Sequence, residues 1–176
     1  VVATTTDPAD DMIEDLALRL KVGYFRGSEE DVLDRVLNAA REAEADAIVE
    51  ITGDCPLIDP QVVDEIVGVY QSEPWDYVSN TLEPTFPVGL ETQIFATAVL
   101  EEVAQLTQDP VDREHVSLYI YEHPERFSLK NVESGIPQKD RSVRLTVDTP
   151  EDFAMISAIY EALYPANPAF NLQDIL

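Results

Sequence analysis

Apolar and polar positions along this chain alternate between two periods. Short runs rich in β-branched and aromatic residues at 1–6, 22–25 and 47–51 read as strands, and the nearly continuous 47–51 run suits one buried on both faces. Between them, apolar residues recur at helical spacing. Met12, Ile13, Leu16, Leu18 and Leu20 form one such set; Val32, Leu33, Val36, Leu37 and Ala40 a second; Val62, Val63, Ile66, Val67 and Tyr70 a third. Two of these helices open on Asp7-Pro8 and Asp59-Pro60, an acceptor side chain followed by a ring whose φ is already helical. The other opens on Ser28-Glu29-Glu30-Asp31, which resembles a capping box and predicts a helix to about residue 44. Strand and helix joined by short connections predict a parallel sheet in a three-layer α/β/α sandwich.

After Ser72 the alternation loosens. The pattern predicts strands at 75–80, 89–95, 127–132 and 144–148, and helices at 97–106, 111–122 and 149–163. Loops are expected at 81–87 and 133–140, with one short turn after Pro165. No internal repeat or low-complexity stretch interrupts this order. At 176 residues one domain over the whole chain is expected.

Charge narrows the ligands. The 35 acids outnumber the 11 lysines and arginines, for a net charge of −24. Such a surface repels phosphate backbones and anionic membranes, so neither nucleic acid nor a membrane is an expected partner. A nucleotide remains open, because a divalent cation bridges carboxylates to phosphates. The one cysteine, Cys55, excludes an internal disulfide, reads as a small buried hydrophobe and suits a cytoplasmic protein.

Candidate chemistry centres on two strand ends. Asp54 follows the 47–51 strand in Gly53-Asp54-Cys55-Pro56-Leu57-Ile58-Asp59-Pro60, and Asp148 ends Leu145-Thr146-Val147-Asp148 before Thr149-Pro150. Ligands of open α/β sheets bind at that edge. If both strands end there, the carboxylates meet, and at about 4 Å they repel by roughly 4 kcal/mol at an effective dielectric near 20. A hard cation offsets that repulsion and recruits polyphosphate. Against this stands the plainer reading, a turn residue and a helix cap.

Those two stretches, with the run from Arg26-Gly27-Ser28 to Arg35, Gly89-Leu90-Glu91 and Arg113-Glu114-His115-Val116, resemble the cytidylyltransferase family of CMP-sugar synthetases, most of all its spore-coat polysaccharide branch. The resemblance implies a nucleotide-diphospho-sugar transferase (GT-A-like) fold, with CTP, Mg²⁺ and a sugar acceptor as ligands. It implies transfer of CMP with release of pyrophosphate. Asp54 and Asp148 take the catalytic and metal-ligand positions, Arg26, Gly27 and Ser28 approach the nucleotide, and Glu91, Arg113 and His115 fall near the acceptor. Three of these have a plainer alternative: Arg113 pairing with nearby acids, His115 satisfied on its helix, Ser28 capping. The family opens with a strand and an Arg-x-x-Ser-x-Arg-x-x-x-Lys loop around the triphosphate, and nothing here matches it. The expectation is therefore a fold without its first strand and phosphate loop, inactive by itself. A glycosyltransferase on the same fold and a non-catalytic interaction domain are the alternatives, and a homodimer is the assembly entertained.

Overall fold

The structure, a computed structural model, describes residues 1–137 and 140–176. Strands β1 (Val2–Thr5), β2 (Tyr24–Gly27), β3 (Ala47–Glu50), β4 (Tyr77–Ser79), β5 (Gln93–Ala96) and β6 (Leu129–Asn131) are interleaved with helices. These are α1 (Asp11–Leu20), α2 (Val32–Glu42), α3 (Pro60–Ser72), α4 (Thr97–Leu106), α5 (Pro110–Glu114), α6 (Leu118–Glu122), α7 (Pro150–Leu163) and α8 (Leu172–Ile175). β1 pairs with β2 in parallel, Val2 opposite Tyr24 through Thr5 opposite Gly27. The other four strands form one sheet in the order β3-β5-β4-β6. The α/β class is as expected.

The chain divides into two compact units, Val1–Ile48 with Phe95–Leu129, and Val49–Ile94 with Lys130–Leu176. In the first, α2 packs on β2, α4 and α5. It buries Leu33, Leu37, Ala39 and Ala40; the spacing predicts Leu33, Leu37 and Ala40 of these, while Val32 and Val36 of the predicted set are half-buried. In the second, one apolar cluster gathers Leu57, Leu90, Ile136, Leu145, Ile156 and Leu172, and another Val62, Ile66, Val78, Ile94 and Val132.

Helix starts follow the local chemistry. Asp59 accepts from Gln61 N–H at 2.8 Å and Asp109 from Val111 N–H at 2.9 Å, each before a proline. Thr149 and Asp152 cap α7 reciprocally. Asp7 instead caps a single 3-10 turn at Pro8–Asp10 that leads into α1. Four expectations need correction. Helix α2 begins three residues later than Ser28 suggests, because Asp31 accepts from Asp34 N–H at 2.9 Å while Ser28 accepts only from Asp31 N–H at 3.0 Å. The helix expected over 111–122 breaks at His115–Ser117, where Val116 takes φ 50°, a left-handed conformation that ends the ladder. The strand expected over 89–95 begins only at Gln93, after a turn at Gly89, where φ is 103°. The segment 144–148 makes only one parallel bridge, Arg144 to Val88. Of the loop predicted over 133–140, residues 138 and 139 lie outside the described residues.

Candidate active site

Beyond β3 the chain turns at Thr52–Cys55, closed by Cys55 N–H donating to Thr52 O at 3.3 Å, and Asp54 rides half-buried on that turn. Cys55 is buried beneath it. Its sulfur lies 3.2 Å from Thr52 Oγ1, 3.7 Å from Asp54 Oδ1 and 3.9 Å from Glu91 Oε2. Burial, helped by the charges of Asp54 and Glu91 and opposed by Thr52, pushes the thiol up to about 11. It therefore stays an S–H donor to its neighbours; a nucleophile needs the thiolate.

Asp148 reaches the same place from the other side. Val147 N–H donates to Asp54 O at 2.9 Å, so the backbones carrying the two aspartates are hydrogen-bonded to each other. One step earlier, Leu145 N–H donates to Val88 O at 2.7 Å. The Gly89 turn then presses so close that a Cβ there would stand 2.7 Å from the Leu145 carbonyl carbon. Glu91 Oε2 accepts from Gly89 N–H at 2.6 Å. Glu91 thus touches both the turn supporting the Asp148 segment and the sulfur under Asp54.

Asp148 Oδ2 accepts from Thr146 Oγ1 at 2.8 Å and is ion-paired with Arg144. These two partners, Thr146 first, hold its carboxyl below the usual range. Asp152 is committed to the helix start, its Oδ2 accepting from Asp148 N–H, Thr149 N–H and the Thr149 hydroxyl at 2.9–3.1 Å. Among the described residues no group of three or more His, Cys, Asp or Glu side chains could hold a metal ion. The donor set at this edge is two carboxylates. That suits Mg²⁺, which keeps several waters and binds through one or two carboxylates plus substrate phosphates.

The other unit holds the remaining candidates. Arg26, on β2, donates through Nε to Thr5 O at 2.7 Å, through Nη1 to Asp11 at 2.7 Å and Glu14 at 2.8 Å, and through Nη2 to Asp7 O at 2.7 Å. Four of its hydrogen bonds thus tie β2 to the β1 end and α1. Gly27 lies tight beneath Arg35, whose Cγ would be 2.9 Å from a Cβ there. Arg113 is spent on Asp31, through Nε at 2.9 and 3.0 Å and Nη2 at 2.6 Å. Burial pushes Asp31 up, but Arg113 and the Asp34 amide outweigh it, and its carboxyl sits below the ordinary range. His115 is exposed where α5 closes. His123 stacks on Tyr119 at 3.9 Å between centroids and is a helix-end residue.

Two residues to which the sequence assigns no role stand beside these sites. Arg35 donates to Ser28 O at 2.5 Å, while its Nε is buried without a hydrogen-bond partner, beside the stretch expected to meet the nucleotide. Arg144 pairs with Asp148. Their even spacing along an extended segment is the signal that could have found it.

The profile of the cytidylyltransferase family matches residues 1–169. The chain belongs to the cytidylyltransferase family. It is 31% identical over 164 residues to the spore coat polysaccharide biosynthesis protein SpsF of Bacillus subtilis, an alignment covering 92% of this chain and 66% of that protein. An uncharacterized protein of Methanocaldococcus jannaschii is 39% identical over 155 residues, covering 88% of this chain and 63% of its own. This chain thus spans just under two thirds of these curated relatives. A solved cytidylyltransferase from Leptospira borgpetersenii superposes with a TM-score of 0.87 at 33% identity, over 97% of this chain and 71% of that one. The family and branch that the motifs resemble are the ones found, and the shared α/β fold agrees with the expected one. No helix among the described residues is long and apolar enough to cross a membrane.

Proposed function

We propose that this protein transfers CMP from CTP to a sugar or sugar acid, releasing pyrophosphate, in polysaccharide biosynthesis. The observation that carries the reading is the Val147–Asp54 hydrogen bond, which joins the backbone segments bearing Asp54 and Asp148 in a chain of this family. Asp54 and Asp148 would hold Mg²⁺. The metal, when bound, neutralises charge on the phosphates and polarises the phosphoryl group under attack.

The chain's own contribution is positioning. Thr146 orients the Asp148 carboxyl, the Thr52–Cys55 turn orients Asp54, and Glu91 fixes the Gly89 turn against Leu145. Gly27 and Ser28 form the nucleotide-facing end of β2, with Arg26 holding that strand end in place. Asp31 fixes Arg113, so on the acceptor side we assign Arg113 to shaping the surface and His115 to touching the acceptor. An acceptor hydroxyl oxygen attacks the α-phosphorus in line and loses its proton to water. The α–β anhydride bond breaks, and pyrophosphate leaves with the electron pair.

The test is ligand-dependent melting of the full-length protein with CTP and Mg²⁺. At about 100 times Kd a ligand stabilises the folded state by about 2.7 kcal/mol, a rise of roughly 5–10 °C for a domain this size. Asp54→Asn and Asp148→Asn should each abolish the rise while leaving the ligand-free Tm within a few degrees. Normal CTP–Mg²⁺ binding by either variant reduces that aspartate to a turn or cap residue. A pyrophosphate-release assay with candidate sugar acids then tests the transfer, and UTP in place of CTP tests the base.

A further inference from the structure

Basic residues are scarce where this site needs them. None occurs between Arg41 and Arg113, and none follows Arg144. The unit that carries both aspartates therefore has four, Lys130, Lys139, Arg141 and Arg144. Lys130 sits over the Trp75 ring at 5.9 Å, and Arg141 Nε donates to Ile136 O at 2.9 Å. Arg144 is ion-paired with Asp148, and the charges of Asp152 and Asp54 also act on it.

That ion pair stands where the metal would bind. Asp148 Oδ2 already carries the Arg144 guanidinium and the Thr146 hydroxyl. A divalent cation coordinating this carboxylate meets a positive charge on the same oxygen, and the two repel strongly at contact distance. The pair is easily parted: the Arg144 side chain is 56% exposed and that of Asp148 44%, so water screens their attraction. Once displaced, the guanidinium stays tethered on the segment that ends in Asp148. Its planar fork of donors matches phosphate oxygens.

We propose that Arg144 is an exchangeable counter-ion. It neutralises Asp148 in the metal-free protein, and when a divalent cation takes that carboxylate it moves to the phosphates of the nucleotide. The proposal rests on Asp148 being a metal ligand, as the function above requires. It makes Arg144 a substrate-binding residue whose engagement is conditional on the metal. The nucleotide's own negative charge then has a cation waiting for it only after the carboxylates are neutralised.

The experiment is two titrations on the full-length protein: Mn²⁺ without nucleotide, followed by electron paramagnetic resonance, and CTP at saturating Mg²⁺ without acceptor, followed by calorimetry. Arg144→Gln should bind Mn²⁺ about five- to tenfold tighter than wild type, because the competitor is gone, and CTP about tenfold more weakly. A purely structural arginine would shift both affinities downward. Arg141→Gln removes a charge three residues away and controls for the general field; it should move either affinity less than twofold. Unchanged or weaker Mn²⁺ binding in Arg144→Gln, unchanged CTP binding, or an equal effect in Arg141→Gln overturns the exchange. Asp148→Asn separates the two ideas. If it loses Mn²⁺ while Arg144→Gln gains none, the exchange alone fails. If Asp148→Asn binds Mn²⁺ as wild type does, the metal-ligand reading fails as well.

Discussion

Two glycines of this chain call for opposite outcomes under the same substitution. Gly89 has φ 103°, and a Cβ there would meet the Leu145 carbonyl carbon at 2.7 Å and its oxygen at 2.9 Å, backbone atoms that cannot step aside cheaply. Gly68 lies exposed within α3 with nothing inside 4 Å of a Cβ. Gly89→Ala should therefore cost about 2 kcal/mol or more, from left-handed strain of about 1–3 kcal/mol and the collision. Gly68→Ala should stabilise by about 0.5–1 kcal/mol, the usual helical preference for Ala. Chemical denaturation checks both; equal effects would mean that the Gly89 turn relaxes freely. Glu91 adds to this. Glu91→Gln keeps an acceptor for Gly89 N–H and should stay within about 1 kcal/mol of wild type, whereas Glu91→Ala orphans that amide at about 1–3 kcal/mol. At this scale residue type and strand-end position single out Asp54 and Asp148 in the sequence, and the family resemblance singles out Glu91. What Arg26 and Arg113 bond to depends on Asp11, Glu14 and Asp31, and the first two lie a helix away, so no local pattern announces it.

Helix starts were legible where an acceptor side chain stands directly before proline. Asp or Thr before proline starts helices at Pro60, Pro110 and Pro150, and the structure places side-chain caps at all three. Two of the failures share a cause. Val116 at φ 50° and the Gly89 turn are conformations that tertiary packing enforces against local preference, and Val116 is itself buried. The caps also differ in a measurable way. Asp59 is buried; its Oδ1 accepts from Gln61 N–H at 2.8 Å and its Oδ2 from Leu172 N–H at 2.9 Å, so one carboxylate caps α3 and anchors α8. Asp109 accepts from Val111 N–H at 2.9 Å, an exposed bond at the start of a five-residue helix. Asp59→Ala should cost about 2 kcal/mol or more, as a lost cap and an orphaned amide combine. Asp109→Ala should cost about 1 kcal/mol. Hydrogen exchange should show early opening of α8 only in Asp59→Ala. Equal destabilisation by the two variants would make the Leu172 contact incidental.

For the molecule as a whole, the net charge of −24 makes stability a matter of pH, and one carboxyl separates itself from the general repulsion. Glu50, at the end of β3, accepts from Gln93 Nε2 at 2.9 Å, and Gln93 Oε1 in turn accepts from the Tyr77 hydroxyl at 2.5 Å. Burial of the Glu50 carboxyl outweighs the Gln93 bond and pushes it up to about 7. An acid raised in the folded state keeps a proton that the unfolded chain gives up at its ordinary value of 4.5. Stability therefore falls as pH rises from about 4.5 to about 7, and the full cost persists above that window. The shift corresponds to about 3 kcal/mol at most, and to less here because Glu50 as a residue is only half-buried. Glu50→Gln keeps an oxygen for Gln93 and has nothing to ionise. Its Tm should exceed that of wild type by roughly 3–8 °C at pH 8, and the gap should close by pH 5. Comparing the two proteins cancels the repulsion common to both. It also cancels the low-pH loss from carboxylates held below their usual range, such as Asp31 and Asp148, whose stabilisation disappears only as pH drops through their own titrations. A Tm gap that stayed constant from pH 5 to pH 8, or that favoured wild type at pH 8, would mean that Glu50 is ionised in the folded protein and that its carboxyl is better solvated than its place beside Gln93 implies.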